Sequence, residues 1–286
     1  MREIKSIVKK VVKFKPSDMI RLAKNEVEIL HWCEGGVNSR NFGDRINPLI
    51  FRFLTNREVV NSTGVVNIFS KNEYYLIGSV LDGINSANAI VCGAGFQKAD
   101  AQIGVAPKSV LAVRGPLSRE IFQRNNVDAP DFYFDPAIVL PKIFDVPSDK
   151  KWRYGLIPHY VDHQRCKDLV EGFGSSRDIK FIDILGDVEE VVSQIAASEL
   201  IISSSLHGVI VAHAYGVPAV WVEFSDKVIG GSFKFNDYYQ AYGERVEGIK
   251  LGKKVDWNKI AENSVLIDNS TRVDEYIEMM GRFCSR

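Results

Sequence analysis

Apolar and polar positions alternate from residue 27 onward in two runs, and each run mixes strand-like with helix-like segments. In the first run, residues 27–32 (VEILHW), 89–92 and 109–113 (SVLAV) have the pattern of strands, and residues 117–124 that of a helix. Strands that alternate with helices of about ten residues are typical of a parallel sheet. The first run therefore predicts an α/β domain.

The second run repeats this alternation after a polar stretch, residues 146–151, which contains Pro147 and reads as a domain boundary. Its predicted strands are residues 153–157, 180–184, 200–203 and 219–223, and its predicted helices are residues 164–172, 188–197, 206–215 and the C-terminal stretch 255–284. We therefore predict two Rossmann-like domains, residues 27–145 and 146–286, that face each other across a cleft.

The N-terminal segment, residues 1–26, has a different pattern. Apolar side chains lie at the spacing of one helical face at Ile4, Ile7, Val8, Val11 and Val12, and residues 1–15 carry six lysines and arginines against one acid. Such a helix can lie on an anionic membrane surface with its apolar face down. It can equally pack that face on the protein body, with its lysines in solvent.

Composition narrows the possible classes of protein. Lysine plus arginine and aspartate plus glutamate number 36 each, so no excess positive charge is available for a general nucleic-acid binder. The four cysteines form no CxxC pair, which is consistent with a reducing cytoplasm and gives no support to a metal site. No apolar run reaches the roughly 18 residues of a membrane span, and no signal peptide is visible. We expect a cytoplasmic protein without a metal.

The segment of residues 200–222 is the most informative one. Its strand ends in Ser203, Ser204 and Ser205, and a helix opens at Leu206 and His207. Ligands of open α/β sheets bind at the carboxyl ends of strands, and free N–H groups at a helix start bind anions. His207 lies where it could bind an anion or transfer a proton. The alternative is a capped helix whose histidine only makes a hydrogen bond, but the combination favours an anion site.

Two further strands deliver polar side chains to the same edge. Strand 109–113 ends at Arg114, whose guanidinium suits a carboxylate or phosphate. The alternative role for Arg114 is an interdomain salt bridge. His159 follows strand 153–157. Its side chain could either act at the edge of the cleft or serve only in packing.

A glycine-rich segment, residues 35–44 (GGVNSRNFGD), follows the first strand and contains Asn38, Asn41 and Asp44. Asp44 could accept a proton from a hydroxyl group, or it could cap the helix predicted at residues 46–53. Farther along, residues 232–239 (SFKFNDYY) offer Lys234 as a mobile cation. Their rings at Tyr238 and Tyr239 are typical of sugar sites, although a surface loop is the alternative.

In order along the chain, these segments resemble the polysaccharide pyruvyltransferase family, and in particular the ketal pyruvyltransferases of bacterial exopolysaccharides such as xanthan. The matching motifs are GGVN and FGD (residues 35–38 and 42–44), IGSVL (77–81), VRGP (113–116), DP (135–136), IPH (157–159), ISSSLHG (202–208), AYGVPAV (214–220) and FK..DYY (233–239).

This resemblance implies a GT-B-like fold of two Rossmann-like domains and a phosphoenolpyruvate (PEP) donor, with no cofactor. It also implies an acceptor sugar within an undecaprenyl-linked oligosaccharide and a cyclic pyruvate ketal as product. The PEP-contacting arginine, histidine and lysine of the family fall by motif on Arg114, His207 and Lys234. Three residues separate GGVN from FGD here, so either Asn38 or Asn41 fills the family's asparagine position.

With the charges of PEP in mind, we expect Arg114, Lys234 and the helix start at Ser204, Ser205 and His207 to bind the donor. His207 is the expected acid and Asp44 the expected base, with His159 able to replace either.

On the acceptor side we expect Asn38, Asn41, Asp44, Ser79 and Tyr238. The N-terminal residues 1–15 would bring the enzyme to the inner face of the cytoplasmic membrane, where a lipid-linked acceptor lies. The alternatives are a GT-B nucleotide-sugar glycosyltransferase and a non-catalytic carbohydrate-binding protein. Against the first, no acid is clearly placed for a ribose; against the second, the charged groups are all present.

Overall fold

The structure is a computed structural model that describes residues 15–33, 41–172, 178–225, 231–252 and 255–284. Residues 1–14, which hold most of the basic N-terminal segment, lie outside the described residues. The first described helix, α1, spans Pro16–Ala23 and begins with proline, a residue whose fixed φ suits a first helical turn. No helix in these five ranges combines the length and apolar character needed to cross a bilayer.

The first half of the chain forms a parallel sheet with helices beside it. After α1 its elements are β1 Val27–Leu30, α2 Phe42–Thr55, β2 Glu58–Asn61, β3 Glu73–Tyr75, β4 Ala89–Cys92, β5 Ser109–Ala112 and α3 Pro116–Arg124. A 3-10 segment, Pro136–Lys142, leads toward the second half.

The second half repeats this architecture. Its elements are β6 Trp152–Ile157, α4 His163–Gly172, β7 Ile179–Phe181, α5 Val188–Ala196, β8 Ser198–Ser203, α6 Leu206–Ala214, β9 Ala219–Glu223, α7 Gly231–Gln240, β10 Ile249–Lys250, α8 Trp257–Ala261 and α9 Ser270–Cys284.

The two sheets have the same strand order. The first runs β2-β1-β3-β4-β5 and the second β7-β6-β8-β9-β10, with all pairs parallel. Counted within each half, both orders are 2-1-3-4-5, a doubly wound arrangement in which the winding reverses between the first and third strands. The prediction of parallel α/β halves is confirmed at this level, and each half has a switch point where ligands of such sheets bind.

The hydrophobic core does not stop at the predicted boundary near residue 146. One cluster of buried side chains includes Leu30 and Ile90 of the first sheet and Ile157 and Ile201 of the second. The last helix, α9, also returns to the first half, where the Tyr276 hydroxyl donates a 2.5 Å hydrogen bond to the Cys92 carbonyl. The halves are therefore packed on each other, which holds their switch points at a fixed separation.

Most of the predicted elements are present, and those missed are mainly short. β4 and β9 have the predicted bounds, whereas β2, β3 and β10 have two to four residues each and were not predicted. Such short segments show too few alternating positions to be recognised. α7 was interpreted as a binding segment or a surface loop, but it is a helix.

Candidate active site

A cavity of about 310 Å³ lies between the two halves, where the switch points meet. The segments after β1 and β3 reach it from the first sheet, and the segment after β6 and the start of α6 reach it from the second. Its described lining residues are Cys33, Asn41, Asp44, Gly78, Ser79, Val80, Gln97, Arg114, His159, Tyr160, Val161, Ser205, Leu206, His207 and Lys234.

Most of the predicted site residues meet in this cavity. Those that line it are Asn41, Asp44, Ser79, Arg114, His159, Ser205, His207 and Lys234. Asn38 lies outside the described residues, so only Asn41 of the two asparagines has a described position. Ser204 and Tyr238 do not line the cavity.

Arg114 is almost fully buried and tied to the second half of the chain. Its Nε donates to Asp237 Oδ2 at 3.0 Å, its Nη1 to Ser79 Oγ at 2.7 Å and its Nη2 to the Phe96 carbonyl at 2.8 Å. Nη2 also lies 2.9 Å from Asp237 Oδ2 as an ion pair. The interdomain salt bridge that the sequence left as the alternative therefore exists. These three hydrogen bonds use three of the five N–H donors of Arg114, and the second N–H of Nη1 remains available in a residue that lines the cavity.

Glycines make this contact between the halves possible. Gly115 follows Arg114, and a Cβ there would overlap the backbone of Asp237. A Cβ on Gly95 would meet the Arg114 guanidinium in the same way. Ser118 completes the arrangement by donating to Asp237 from its backbone N–H at 2.9 Å and from its hydroxyl at 2.6 Å. The Asp237 carboxylate is thus fully paired although it is buried.

His207 lies in the first turn of α6, and its imidazole packs on the first turn of α2. A Cβ on Gly43 would collide with this ring, so the absence of a side chain at position 43 creates its place. Nε2 is buried and has no hydrogen-bond partner within the described ranges. Burial, together with smaller effects from nearby Lys234, Arg114 and His159, lowers the pKa of His207 to about 3. The ring is therefore neutral while the cavity holds no anion.

Lys234, on α7, is buried rather than mobile, which corrects the expectation from the sequence. Only 9% of it is exposed. Burial, with a smaller effect from Arg114, lowers its pKa to about 8. His159 has a pKa lowered to about 3 by burial and by Lys234. Arg114 is paired with Asp237, whereas Lys234 forms no ion pair with any described residue, and an unpaired ammonium group in a cavity favours binding of an anion.

Asp44 is the acidic residue among the described lining residues. It lies in the first turn of α2, it accepts a 2.8 Å hydrogen bond from the Cys33 backbone N–H, and 6% of it is exposed. Burial raises its pKa to about 6, although the bonds from Cys33 and Asn41 act in the opposite direction. A carboxyl group with this pKa can exchange a proton near neutral pH.

The serines at the start of α6 divide between two tasks. Ser205 lines the cavity as the N-cap of α6, and its side chain makes no capping bond. Ser204 faces a separate cavity of about 280 Å³, and its hydroxyl accepts a 2.8 Å hydrogen bond from the His159 backbone N–H. Ser204 is thus placed to position His159, which differs from the predicted donor contact.

The prediction of Tyr238 as an acceptor platform is wrong. This residue has 0% exposure, and its hydroxyl bonds His213 Nδ1 at 2.9 Å in the core. The Tyr239 and Tyr242 rings pack beside it. α7 is buried along most of its length, so aromatic residues that looked like a binding surface in the sequence are packing residues.

Sequence reasoning missed two residues that shape the site. Asp237 lies within the FK..DYY motif, whose lysine was selected while its aspartate was not. Gly43 lies within FGD, where only Asp44 was assigned a role. The signal available in the sequence was that both residues lie within the family motifs. Their partners, Arg114 and His207, lie 123 residues or more away in the chain and can be identified only in the folded structure.

The described residues contain no group of three or more His, Cys, Asp or Glu side chains placed to hold a metal ion. The described lining of the cavity thus combines an ion-paired guanidinium, an ammonium group, two neutral imidazoles and one carboxyl group with a pKa of about 6.

Comparison with known proteins agrees with the placement of these motifs. The family model described as polysaccharide pyruvyl transferase matches residues 41–226, which include most of the lining residues. An uncharacterised protein of Acanthamoeba polyphaga mimivirus is 31% identical over 212 residues, which cover 72% of each chain. The succinoglycan biosynthesis protein ExoV of Rhizobium meliloti is 29% identical over 212 residues, 71% of this chain and 62% of ExoV. The chain belongs to the polysaccharide pyruvyl transferase family.

Proposed function

We propose that this protein is a ketal pyruvyltransferase that moves the pyruvyl group of PEP onto two hydroxyls of a sugar in a bacterial surface polysaccharide repeat. The observation that carries the proposal is the meeting of Lys234, His207 and Arg114 with Asp44 in one cavity. A small dianion would offset the crowded positive charge, and a carboxyl group lies ready to accept a proton from a hydroxyl group.

In the proposed donor site, Lys234 and the start of α6 at Ser205 and His207 bind the phosphate and carboxylate of PEP. Arg114 contributes to binding through the second N–H of Nη1 and through the electrostatic attraction of its guanidinium for the anion. Its other donors hold the two halves together. A bound dianion counters the charges that now depress the pKa of His207. The imidazole then becomes a better proton carrier when PEP is present than when the cavity is empty.

The proposed reaction begins when His207 gives a proton to C3 of PEP, so that CH2 becomes CH3 and C2 becomes oxocarbenium-like. A sugar hydroxyl attacks C2 as Asp44 takes its proton, and the C2–O bond to phosphate breaks with both electrons going to phosphate. A second hydroxyl of the same sugar then attacks C2 and closes the ring. The second hydroxyl gives its proton to His207 and so restores the acid, and Asp44 passes its proton to the released phosphate, so that atoms and charges balance over one turnover.

The donor is tested by calorimetric binding of PEP and of UDP-glucose, followed by measurement of released phosphate with sugar acceptors. We expect PEP to bind and UDP-glucose not to bind. Binding of UDP-glucose without PEP would favour the nucleotide-sugar glycosyltransferase instead. The cavity of about 310 Å³ suits a small donor better than a nucleotide sugar.

His207→Ala tests the catalytic role. We expect transfer to fall by on the order of 10²-fold or more, in the range typical of general acids, while the far-UV circular dichroism and melting temperature stay close to those of the wild type. The matched control is His213→Gln, a second histidine of α6 that faces the core instead of the cavity. Normal ketal formation by His207→Ala would refute the assignment.

We also propose that residues 1–15 bring the enzyme to the cytoplasmic face of the membrane, where a lipid-linked acceptor lies. The support is the basic, apolar-striped sequence pattern. Co-sedimentation with vesicles of phosphatidylcholine and phosphatidylglycerol should fall strongly when residues 1–15 are removed, and turnover of a soluble acceptor should not change. Unchanged sedimentation would contradict this proposal.

A further inference from the structure

The first sheet has a second cavity, of about 740 Å³, on the face opposite α2. The Tyr74 ring of β3 meets Phe51 of α2 edge to face, with ring centres 4.9 Å apart. Side chains alternate along a strand, so Glu73 and Tyr75 point to the other face, and both line the second cavity.

The way the chain crosses from β3 to β4 explains why this cavity exists. Doubly wound sheets normally have helices on both faces. Here the connection of residues 76–88 contains only the 3-10 turn Leu81–Gly83 and no α-helix. On this face of the sheet Leu22 of α1 packs on Val27 and Ile29 of β1. The neighbouring part of the face, over β3, has no helix on it, and the cavity lies there.

The lining of the second cavity is rich in hydroxyl and amide groups. The His31 and Tyr75 rings stack with centres 4.7 Å apart, and His31 Nδ1 lies 2.7 Å from Ser62 Oγ. Asn67 Nδ2 donates to Glu73 Oε1 at 2.9 Å. Thr63 Oγ1 is buried, and no described residue offers it a hydrogen bond.

The charge of this lining excludes a phosphate. No lysine or arginine is among the described residues that line it, and its charged group is the Glu73 carboxylate. Asn85, Ser86 and Asn88 extend the set of amide and hydroxyl groups. Such a surface fits a neutral ligand with many hydroxyls, because each amide or hydroxyl can both donate to and accept from a sugar.

Two short chain segments join this cavity to the active-site cavity. His31 lines the second cavity and Cys33 the first, and two residues of extended chain span at most about 7 Å. Likewise, Gly78 to Val80 line the active-site cavity while Gly83 and Asn85 line the second one. An oligosaccharide can therefore contact both.

We propose that the second cavity is a subsite for the neutral sugar units adjoining the one that becomes pyruvylated. This inference rests on the proposed function, since it assigns the acceptor of the same enzyme. It makes the enzyme selective for oligosaccharides over single sugars.

Gly83→Trp tests the proposal by filling the cavity. A Cβ on Gly83 meets nothing within 4 Å, and its φ lies outside the left-handed region, so the substitution fits without strain at the Cβ. Gly104→Trp is the matched control, since Gly104 has the same free surroundings and does not line the cavity. Thr63→Val removes only the unpaired hydroxyl.

The readout is binding to an array of neutral hexose oligosaccharides, one to four sugars long, by wild type and the three variants. We expect wild type and Gly104→Trp to bind the longer glycans at least tenfold better than monosaccharides. Gly83→Trp should lose this preference, and Thr63→Val should weaken it. Equal binding of all lengths by wild type, no binding of any array glycan, or a preference unchanged in Gly83→Trp would overturn the subsite.

PEP binding, measured by calorimetry on the same four proteins, separates this proposal from the proposed function. All four should bind PEP equally, because none of the substitutions lines the active-site cavity. A wild type that prefers longer glycans but does not bind PEP would refute the pyruvyltransferase and keep the glycan site. A wild type that binds PEP but shows no preference for longer glycans would refute the glycan subsite and leave the proposed pyruvyltransferase standing.

Discussion

Gly43 determines where the His207 imidazole lies, although it carries no functional group. Its Cα faces the ring so closely that a methyl group would enter the space of the imidazole. His207 belongs to the second half and Gly43 to the first. A residue without a side chain in one half therefore sets the position of the proposed acid in the other.

Gly43→Ala should lower kcat by on the order of 10²-fold, because a displacement of about 1 Å in a catalytic group has that effect. The measurement is phosphate release at saturating PEP and acceptor. Gly104→Ala, in open space, is the control and should behave as wild type. A Gly43→Ala enzyme with wild-type kcat would show that the ring position does not matter.

The two shifted groups with pKa values near neutrality predict a bell-shaped pH profile. Asp44 must be ionised to accept a proton, so kcat/KM should rise with pH through about 6. Lys234 must be protonated to bind the dianion, so kcat/KM should fall as pH rises through about 8. The imidazoles, with pKa values of about 3, are neutral across this range, so the proton that His207 passes to C3 must enter with PEP, whose phosphate titrates near pH 6.

Variants separate the two limbs. Lys234→Arg should move the alkaline limb upward, because guanidinium keeps its proton throughout this range. Asp44→Asn should abolish most turnover without moving the PEP dissociation constant. The phosphate of PEP itself titrates near pH 6, so PEP binding is measured across the same pH range and factored out. An acid limb absent from wild type would contradict the role of Asp44.

At the scale of elements, the contact between the end of β5 and α7 depends on one buried ion pair. Arg114 is 1% exposed and Asp237 0%. Asp237 accepts three hydrogen bonds, one from Arg114 and two from Ser118, and Arg114 donates two more to other groups of the first half. Removing one partner leaves a buried charge without compensation, which is costlier than removing both.

Asp237→Ala and Arg114→Met should each lower the free energy of unfolding by about 3–5 kcal/mol, and the double variant should lose less than their sum. Urea denaturation gives these values. Asp237→Asn, which keeps the acceptor oxygen, should retain more stability than Asp237→Ala. Additive losses in the double variant would show that the two residues do not interact.

The elements also show what the sequence could and could not predict. The strand–helix unit around Ser203 to His207 was predictable because a buried strand, a polar stop and a helix follow in order. The Arg114–Asp237 pair was not, since its partners lie 123 residues apart and either could have met another group. Tyr238 was misassigned because aromatic residues pack in cores as readily as they bind sugars.

At the scale of the whole molecule, the two halves share one hydrophobic core and several contacts. Arg45 of α2 donates from Nη1 to the Leu185 carbonyl at 3.1 Å and also to that of Gly186. α9, at the end of the chain, packs on α2. The equal strand orders of the halves were not predicted, because a shared topology needs no sequence repeat.

Calorimetric unfolding should therefore show one transition, with equal calorimetric and van't Hoff enthalpies. Two independent half-domains would give two transitions or unequal enthalpies. The same experiment on Asp237→Ala asks whether the ion pair couples the halves, since uncoupling would split the transition. A split transition in wild type would contradict a shared core.

The shared strand order of the two sheets has a consequence for how proteins of this architecture can diversify. Because each half brings its own crevice to the common cavity, the proposed donor contacts other than Arg114 come from the second half, and Asn41, Asp44 and Ser79 on the proposed acceptor side come from the first. Loops of the first half can change in length or composition to admit a new glycan while Arg114, His207 and Lys234 stay unchanged. On the proposed function, substitutions in the first half alone would therefore be enough to change the acceptor.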